Sequence, residues 1–138
     1  MRLDWRLRWA IYLDFTVLFA TGAIIWGADP IRAWSGLEGL TPVSLMIHGG
    51  FAMLALLAIG ALIPIHALRG WRARRNRISG VTIAAVNAAL VATAFGLYYL
   101  GGELARAWAS TLHLWIGFAL PVVVAWHVWR GRRQRHKA

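Results

Sequence analysis

Four apolar stretches, each long enough to cross a bilayer, fill most of this 138-residue chain: roughly residues 9–28, 43–68, 78–101 and 108–129. A span needs about 20 apolar residues, because a helix rises about 1.5 Å per residue through a hydrocarbon layer about 30 Å thick. Inside that layer the backbone must satisfy its own N–H and C=O groups, so four such stretches mean four helices. Composition agrees, with 59% hydrophobic and only 14% charged residues, where soluble domains carry about a quarter charged. Too little chain remains for a separate soluble domain. The expected fold is all-α: an up-down-up-down transmembrane four-helix bundle in one integral membrane domain, residues 1–138, with short connections keeping neighbouring helices antiparallel. The first stretch is too long for the core of a signal peptide, carries Asp14 and lacks a small-residue cleavage site, so it reads as a retained span.

The net charge of +10 could point to nucleic acid, but its distribution points to a membrane. The amino-terminal flank holds Arg2, Arg6 and Arg8; the middle loop holds Arg69, Arg72, Arg74, Arg75 and Arg77; the tail holds Arg130, Arg132, Arg133, Arg135 and Lys137. The other two connections carry only Arg32 and Arg106, beside Asp29, Glu38 and Glu103. Thirteen basic residues against two, alternating by loop, place both termini and the middle loop on the cytoplasmic side. The basic runs then serve topology and lipid headgroups rather than nucleic acid. Tryptophans fit two interfacial belts: Trp5, Trp9, Trp71, Trp126 and Trp129 toward the basic end, and Trp26, Trp34, Trp108 and Trp115 toward the other. Tyr98 and Tyr99 join the outer belt. Asp29-Pro30 and Thr41-Pro42 punctuate the first outer loop, with Thr41 and Pro42 expected as cap and first turn of the second helix. Ile78-Ser79-Gly80 is expected to open the third.

Ionisable rings lie inside two of the four spans, a costly placement that marks a candidate site. His48 and His66, 18 residues apart, bracket the second span; His113 and His127, 14 apart, bracket the fourth. At roughly 100° per residue each pair falls close to one helix face. The two spans run in the same direction, so His48 and His113 share the outer level and His66 and His127 the inner one. Two imidazoles from facing helices can hold one haem iron axially. The axial offsets, about 27 Å and about 21 Å, differ by about 6 Å. Tilt, an altered helix after Pro64 or a kink at Pro121 could absorb that difference. Gly49, Gly50 and Gly117 adjoin the outer histidines, with Gly96 and Gly22 at similar depth and Gly80 toward the inner level. They either admit a flat macrocycle or simply pack helices together.

The chain has no cysteine, which excludes disulfides, iron–sulfur ligation, thiolate-ligated haem and covalent haem attachment. Nucleotide-binding glycine loops and a water-accessible Ser-His-Asp set are also missing, so no catalytic residue is assigned and an intrinsic dehydrogenase activity is not expected. Two alternatives use the same histidines: a single-haem membrane anchor, or a histidine-based metal-binding membrane protein without a redox role. The second would want carboxylates beside the histidines, and the sequence has none there.

Paired histidines on alternate spans, glycines between them and arginines at the ends make this chain resemble the four-helix di-haem membrane cytochromes b. The arrangement is similar to the haem-bearing half of respiratory cytochrome b and to small bacterial cytochrome b subunits that anchor periplasmic redox enzymes. The 18-residue offset departs from that pattern, and the first span lacks the histidine that hydrogenase- and formate-dehydrogenase-type subunits use. The resemblance implies two non-covalent haem b, one held by His48 and His113 and the other by His66 and His127. It also implies a bacterial inner-membrane electron-transfer subunit working between the quinone pool and a redox partner. Arg32 and Arg106 are then candidates for the outer propionates, and Arg69, Arg72 and Arg130 for the inner ones. Asp14, the one acid inside a span, is a candidate proton relay or quinone contact, or else a partner of Arg6 or Arg8. Asn87 is expected to hydrogen-bond between helices.

Overall fold

A computed structural model describes the backbone of residues 4–35 and 40–134 and the side chains of 4–27 and 41–134. The side chains of Asp29, Arg32 and Trp34, and the whole of Arg2, Glu38, Arg135, His136 and Lys137, lie outside the described residues. Among the described residues all regular structure is helical, and four helices are long and apolar enough to cross a membrane. The chain forms two compact units, residues 1–66 and 67–138.

Helix α1 (Trp5–Ser35) starts where Asp4 caps it: the Arg6 N–H donates to Asp4 Oδ1 at 2.8 Å and the Arg8 N–H to the Asp4 carbonyl at 3.0 Å. It continues through Asp29-Pro30, which does not open a loop as the sequence implied. Those residues follow the apolar stretch that ends at Gly27, and Pro30 leaves the Trp26 carbonyl without its helical donor. Helix α2 (Leu40–Leu62) begins one residue before Thr41. Thr41 therefore lies inside the first turn rather than capping it, and its buried hydroxyl makes no hydrogen bond. Small and polar residues form the contact between α1 and α2, where Asp14, Thr21, Ser44 and Ala55 are all buried.

The helical path after α2 widens into a π-turn at Ile63–Ala67. Pro64 has no N–H for the Gly60 carbonyl and its ring crowds that carbonyl, so a wider turn relieves both problems. The helix is therefore altered around Pro64. Helix α5, by contrast, runs unbroken through Pro121.

In the second unit a short helix α3 (Leu68–Arg72) leads through a turn into α4 (Arg77–Tyr99), and α5 (Glu103–Arg133) returns alongside it. Arg74 and Asn76 adopt left-handed backbone in that turn, with φ of 53° and 51°. Ser79, Gly96, Ala109 and Leu120 are the buried residues of α4 and α5. Large apolar side chains point outward in both units, Met46, Leu57, Val122 and Leu104 each being more than two-thirds exposed. Small residues inside and large ones outside suit a hydrocarbon solvent, where helix packing depends on close approach rather than on hiding apolar surface.

Arginine–tryptophan pairs mark the basic ends. The Arg77 guanidinium stacks 4.6 Å from the Trp71 ring and donates to the Trp71 carbonyl from Nε at 3.1 Å and Nη2 at 2.8 Å. Arg130 sits 5.4 Å over Trp126 and Arg133 4.0 Å over Trp129. In the first unit Arg6 lies 5.6 Å over Trp5. Such pairs put an apolar ring and a cation at one depth, as a membrane interface requires.

Candidate functional site

Three of the four in-span histidines meet a hydroxyl from the helix packed against their own. Thr21 Oγ1 on α1 lies 2.9 Å from His48 Nδ1 on α2. Thr93 Oγ1 on α4 lies 3.0 Å from His113 Nδ1 on α5, and Ser79 Oγ lies 3.0 Å from His127 Nδ1 on the same two helices. All three rings are half-buried, and each engages its hydroxyl through Nδ1.

The second unit shows why two sites arise from one interface. Fourteen residues separate Ser79 from Thr93, and fourteen separate His113 from His127. Because α4 and α5 are antiparallel, equal spacing on both brings each hydroxyl to its imidazole in a single register. The two contacts are thus one device used twice, at heights about 21 Å apart along the helix. Sequence reading missed Thr21, Ser79 and Thr93. The matching interval on α4 was a usable signal for the latter two, although Ser79 reads by itself as a helix-opening residue.

Asn76 strengthens the lower contact. Its Nδ2 donates to the His127 carbonyl at 3.2 Å, its carbonyl accepts from Ser79 Oγ at 3.4 Å, and its side-chain oxygen is buried without a hydrogen bond. Ser79 is completely buried. The left-handed Asn76 therefore ties the start of α4 to the His127 turn of α5. His66 is half-buried in the π-turn, at the end of the first unit.

The glycines divide into three groups. A Cβ on Gly22 would meet His48 Cε1 at 3.4 Å, so this position gives the imidazole its room. A Cβ on Gly96 would meet Leu100 Cδ1 at 3.1 Å and Ala109 Cβ at 3.3 Å, and one on Gly117 would touch Leu90 Cδ2 at 4.0 Å. These two serve the packing of α4 on α5. Gly49, Gly50 and Gly80 have nothing within 4 Å of that point, leaving open space beside the backbone near His48 and on α4 one residue after Ser79.

Asp14 pairs with neither Arg6 nor Arg8: it is 8% exposed and both carboxyl oxygens are buried without a hydrogen-bond partner. Asn87 does not bridge helices. It donates to the Ile83 carbonyl one turn back at 2.8 Å, the local alternative open to a short polar side chain on a helix. Arg69, Arg72 and Arg106 are exposed, and Arg130 is half-buried against Trp126. Tyr98 and Tyr99 are exposed, with Tyr99 stacked on Phe95 at 4.2 Å. Among the described residues no three His or carboxylate side chains cluster as a metal ion would require. Family models, curated proteins and solved structures all return no match to this chain.

Proposed function

We propose that this chain is a di-haem b-type membrane cytochrome subunit that carries electrons between the quinone pool and a redox partner. His48 and His113 would hold one haem, His66 and His127 the other. The observation that carries the reading is the doubled contact on α4 and α5, in which one hairpin presents two imidazoles at two heights through the same chemistry. A metal-ligating histidine characteristically gives its other ring nitrogen to a second group that fixes its orientation, and His48 receives the same support from Thr21. Imidazoles oriented through Nδ1 in this way would be suited to hold haem iron. Open space at Gly49, Gly50 and Gly80 is also in keeping with a flat group lying against backbone.

If bound there, haem b would supply reversible one-electron transfer. The protein's own contribution is orientation and exclusion of water: Thr21, Ser79 and Thr93 hold the rings, and the hydrocarbon surroundings keep solvent from them. Arg69, Arg72 and Arg130 at one end, and Arg32 and Arg106 at the other, supply cations for propionates. Asp14 is the group able to hold a proton inside the first span, where quinone chemistry couples protons to electrons. The chain belongs to the inner membrane of a bacterium, with both termini on the cytoplasmic side, and the substrate chemistry resides in a partner subunit.

The test is spectroscopic. Purified protein reduced with dithionite should give b-type bands against its oxidised form, and a pyridine haemochrome assay should return about two haems per chain. One haem per chain would select the single-haem reading, and a folded but colourless preparation would remove the electron-transfer reading altogether.

A further inference from the structure

Counting protons at the three hydroxyls decides more than orientation. Thr21 Oγ1 lies 2.7 Å from the Val17 carbonyl and 3.2 Å from that of Leu18, besides 2.9 Å from His48 Nδ1. Thr93 Oγ1 lies 2.8 Å from the Ala89 carbonyl and 3.0 Å from that of Leu90, besides 3.0 Å from His113 Nδ1. A hydroxyl has one proton to give, and a carbonyl oxygen can only accept. Two oxygens at such separations without a proton between them would repel, so each threonine gives its proton to its own helix. The contact with the ring must then run the other way, from Nδ1–H to the hydroxyl lone pair.

We infer that Thr21 and Thr93 are positioning residues that fix His48 and His113 as the Nδ1–H tautomer, so that the lone pair sits on Nε2. Ser79 does the same for His127, but less firmly. Its hydrogen bond to a carbonyl, that of Asn76 just before α4, is 3.4 Å long, against 2.7 and 2.8 Å for the shortest threonine contacts. The serine proton is correspondingly less committed. The consequence for ligation rests on the haem reading: a ligand whose Nδ1–H is accepted by oxygen is more basic toward iron, which favours the ferric state and lowers the reduction potential. Thr21 and Thr93 would then hold the haem at their level toward low potential, with Ser79 exerting a weaker pull at the other.

The tautomer is read by ring-nitrogen NMR on the full haem-free chain carrying ¹⁵N-labelled histidine, because iron on Nε2 would by itself leave the proton on Nδ1. Wild-type His48 and His113 should show the proton on Nδ1. Thr93→Val, which keeps the shape and removes the hydroxyl, should leave His113 a mixture of tautomers with His48 unchanged. Thr93→Ser should restore the single form. In haem-loaded protein, Thr93→Val should shift one midpoint potential positive and keep haem content, and Thr93→Ser should return it. Ser79→Ala should shift the other midpoint by less. A proton found on Nε2 of His113 in the wild type, or a Thr93→Val protein with unchanged tautomer and potential, overturns the inference. A colourless protein with Nδ1–H rings leaves it standing while removing the haem reading, so the two failures are distinct.

Discussion

Gly22 and His48 face each other so closely that a Cβ on the glycine would stand 3.4 Å from Cε1 of the imidazole. That spacing accepts one methyl group and little more. The glycine lies beside Thr21, so the residue that holds the ring and the residue that makes room for it are adjacent on α1. Gly22→Ala should therefore be neutral or stabilise by up to about 1 kcal/mol through helix propensity. Gly22→Ile has branches that must displace the ring, and it should cost about 1–3 kcal/mol and lower haem occupancy. Thermal unfolding in micelles and the haemochrome assay read the two effects separately. An isoleucine variant with full haem and full stability would show that the ring is not confined here.

Glycines on the remaining helices separate packing from cofactor space. Gly96 is buried between Leu100 and Ala109. The leucine end can swing aside, but the alanine methyl moves only with the α5 backbone, so Gly96→Val should cost about 1–3 kcal/mol. Gly50 has no neighbour within 4 Å, and Gly50→Ala in protein without haem should stabilise by about 0.5–1 kcal/mol, the usual gain from helix propensity. If a macrocycle occupies that space, the same alanine lowers haem affinity. A rise in apoprotein stability with a fall in haem uptake is the expected pattern. Unchanged uptake would remove Gly50 from the cofactor surface.

The four spans were legible in the sequence because hydrocarbon leaves the backbone so few options, and apolar length alone reveals that constraint. The histidines stood out because an ionisable ring inside a span is rare. What was not legible was how the rings are held. A serine near a helix start and a threonine in mid-span are ordinary residues until the antiparallel register of α4 and α5 aligns their interval with that of the histidines. Asp29-Pro30 misled in the opposite direction: proline suggested a break, yet a helix end beyond the apolar stretch tolerates a missing donor. Asn87 misled because an amide in a span implies a partner across the interface, whereas its own preceding turn offered a carbonyl at 2.8 Å.

Histidine replacement tests the pairing across the two hairpins. His48→Ala and His113→Ala should each delete the same spectral component, and His66→Ala and His127→Ala the other. On the proposed pairing, each loss should halve haem content rather than abolish it, since the other pair of histidines is unchanged. Low-temperature difference spectra, which resolve the two b-type bands, read this directly. Loss of different components on replacing His48 and His113 would break the proposed pairing even if both haems exist.

Asp14 has a measurable cost whatever its role. Its two buried oxygens make no hydrogen bond in a span-forming helix, and an unsatisfied buried polar group costs about 1–3 kcal/mol, more when charged. Replacing it with leucine, of similar size and free of that penalty, should stabilise the protein by at least about 1 kcal/mol on that scale. If Asp14 holds a proton that quinone chemistry uses, the same variant should slow haem reduction by quinol and leave reduction by dithionite at its normal extent. Asp14→Glu should restore part of the quinol rate, since it returns an acid to the position. Greater stability with an unaltered quinol rate would make Asp14 a packing liability instead of a relay. Reduced stability would mean that the carboxyl has a partner worth more than the burial it suffers.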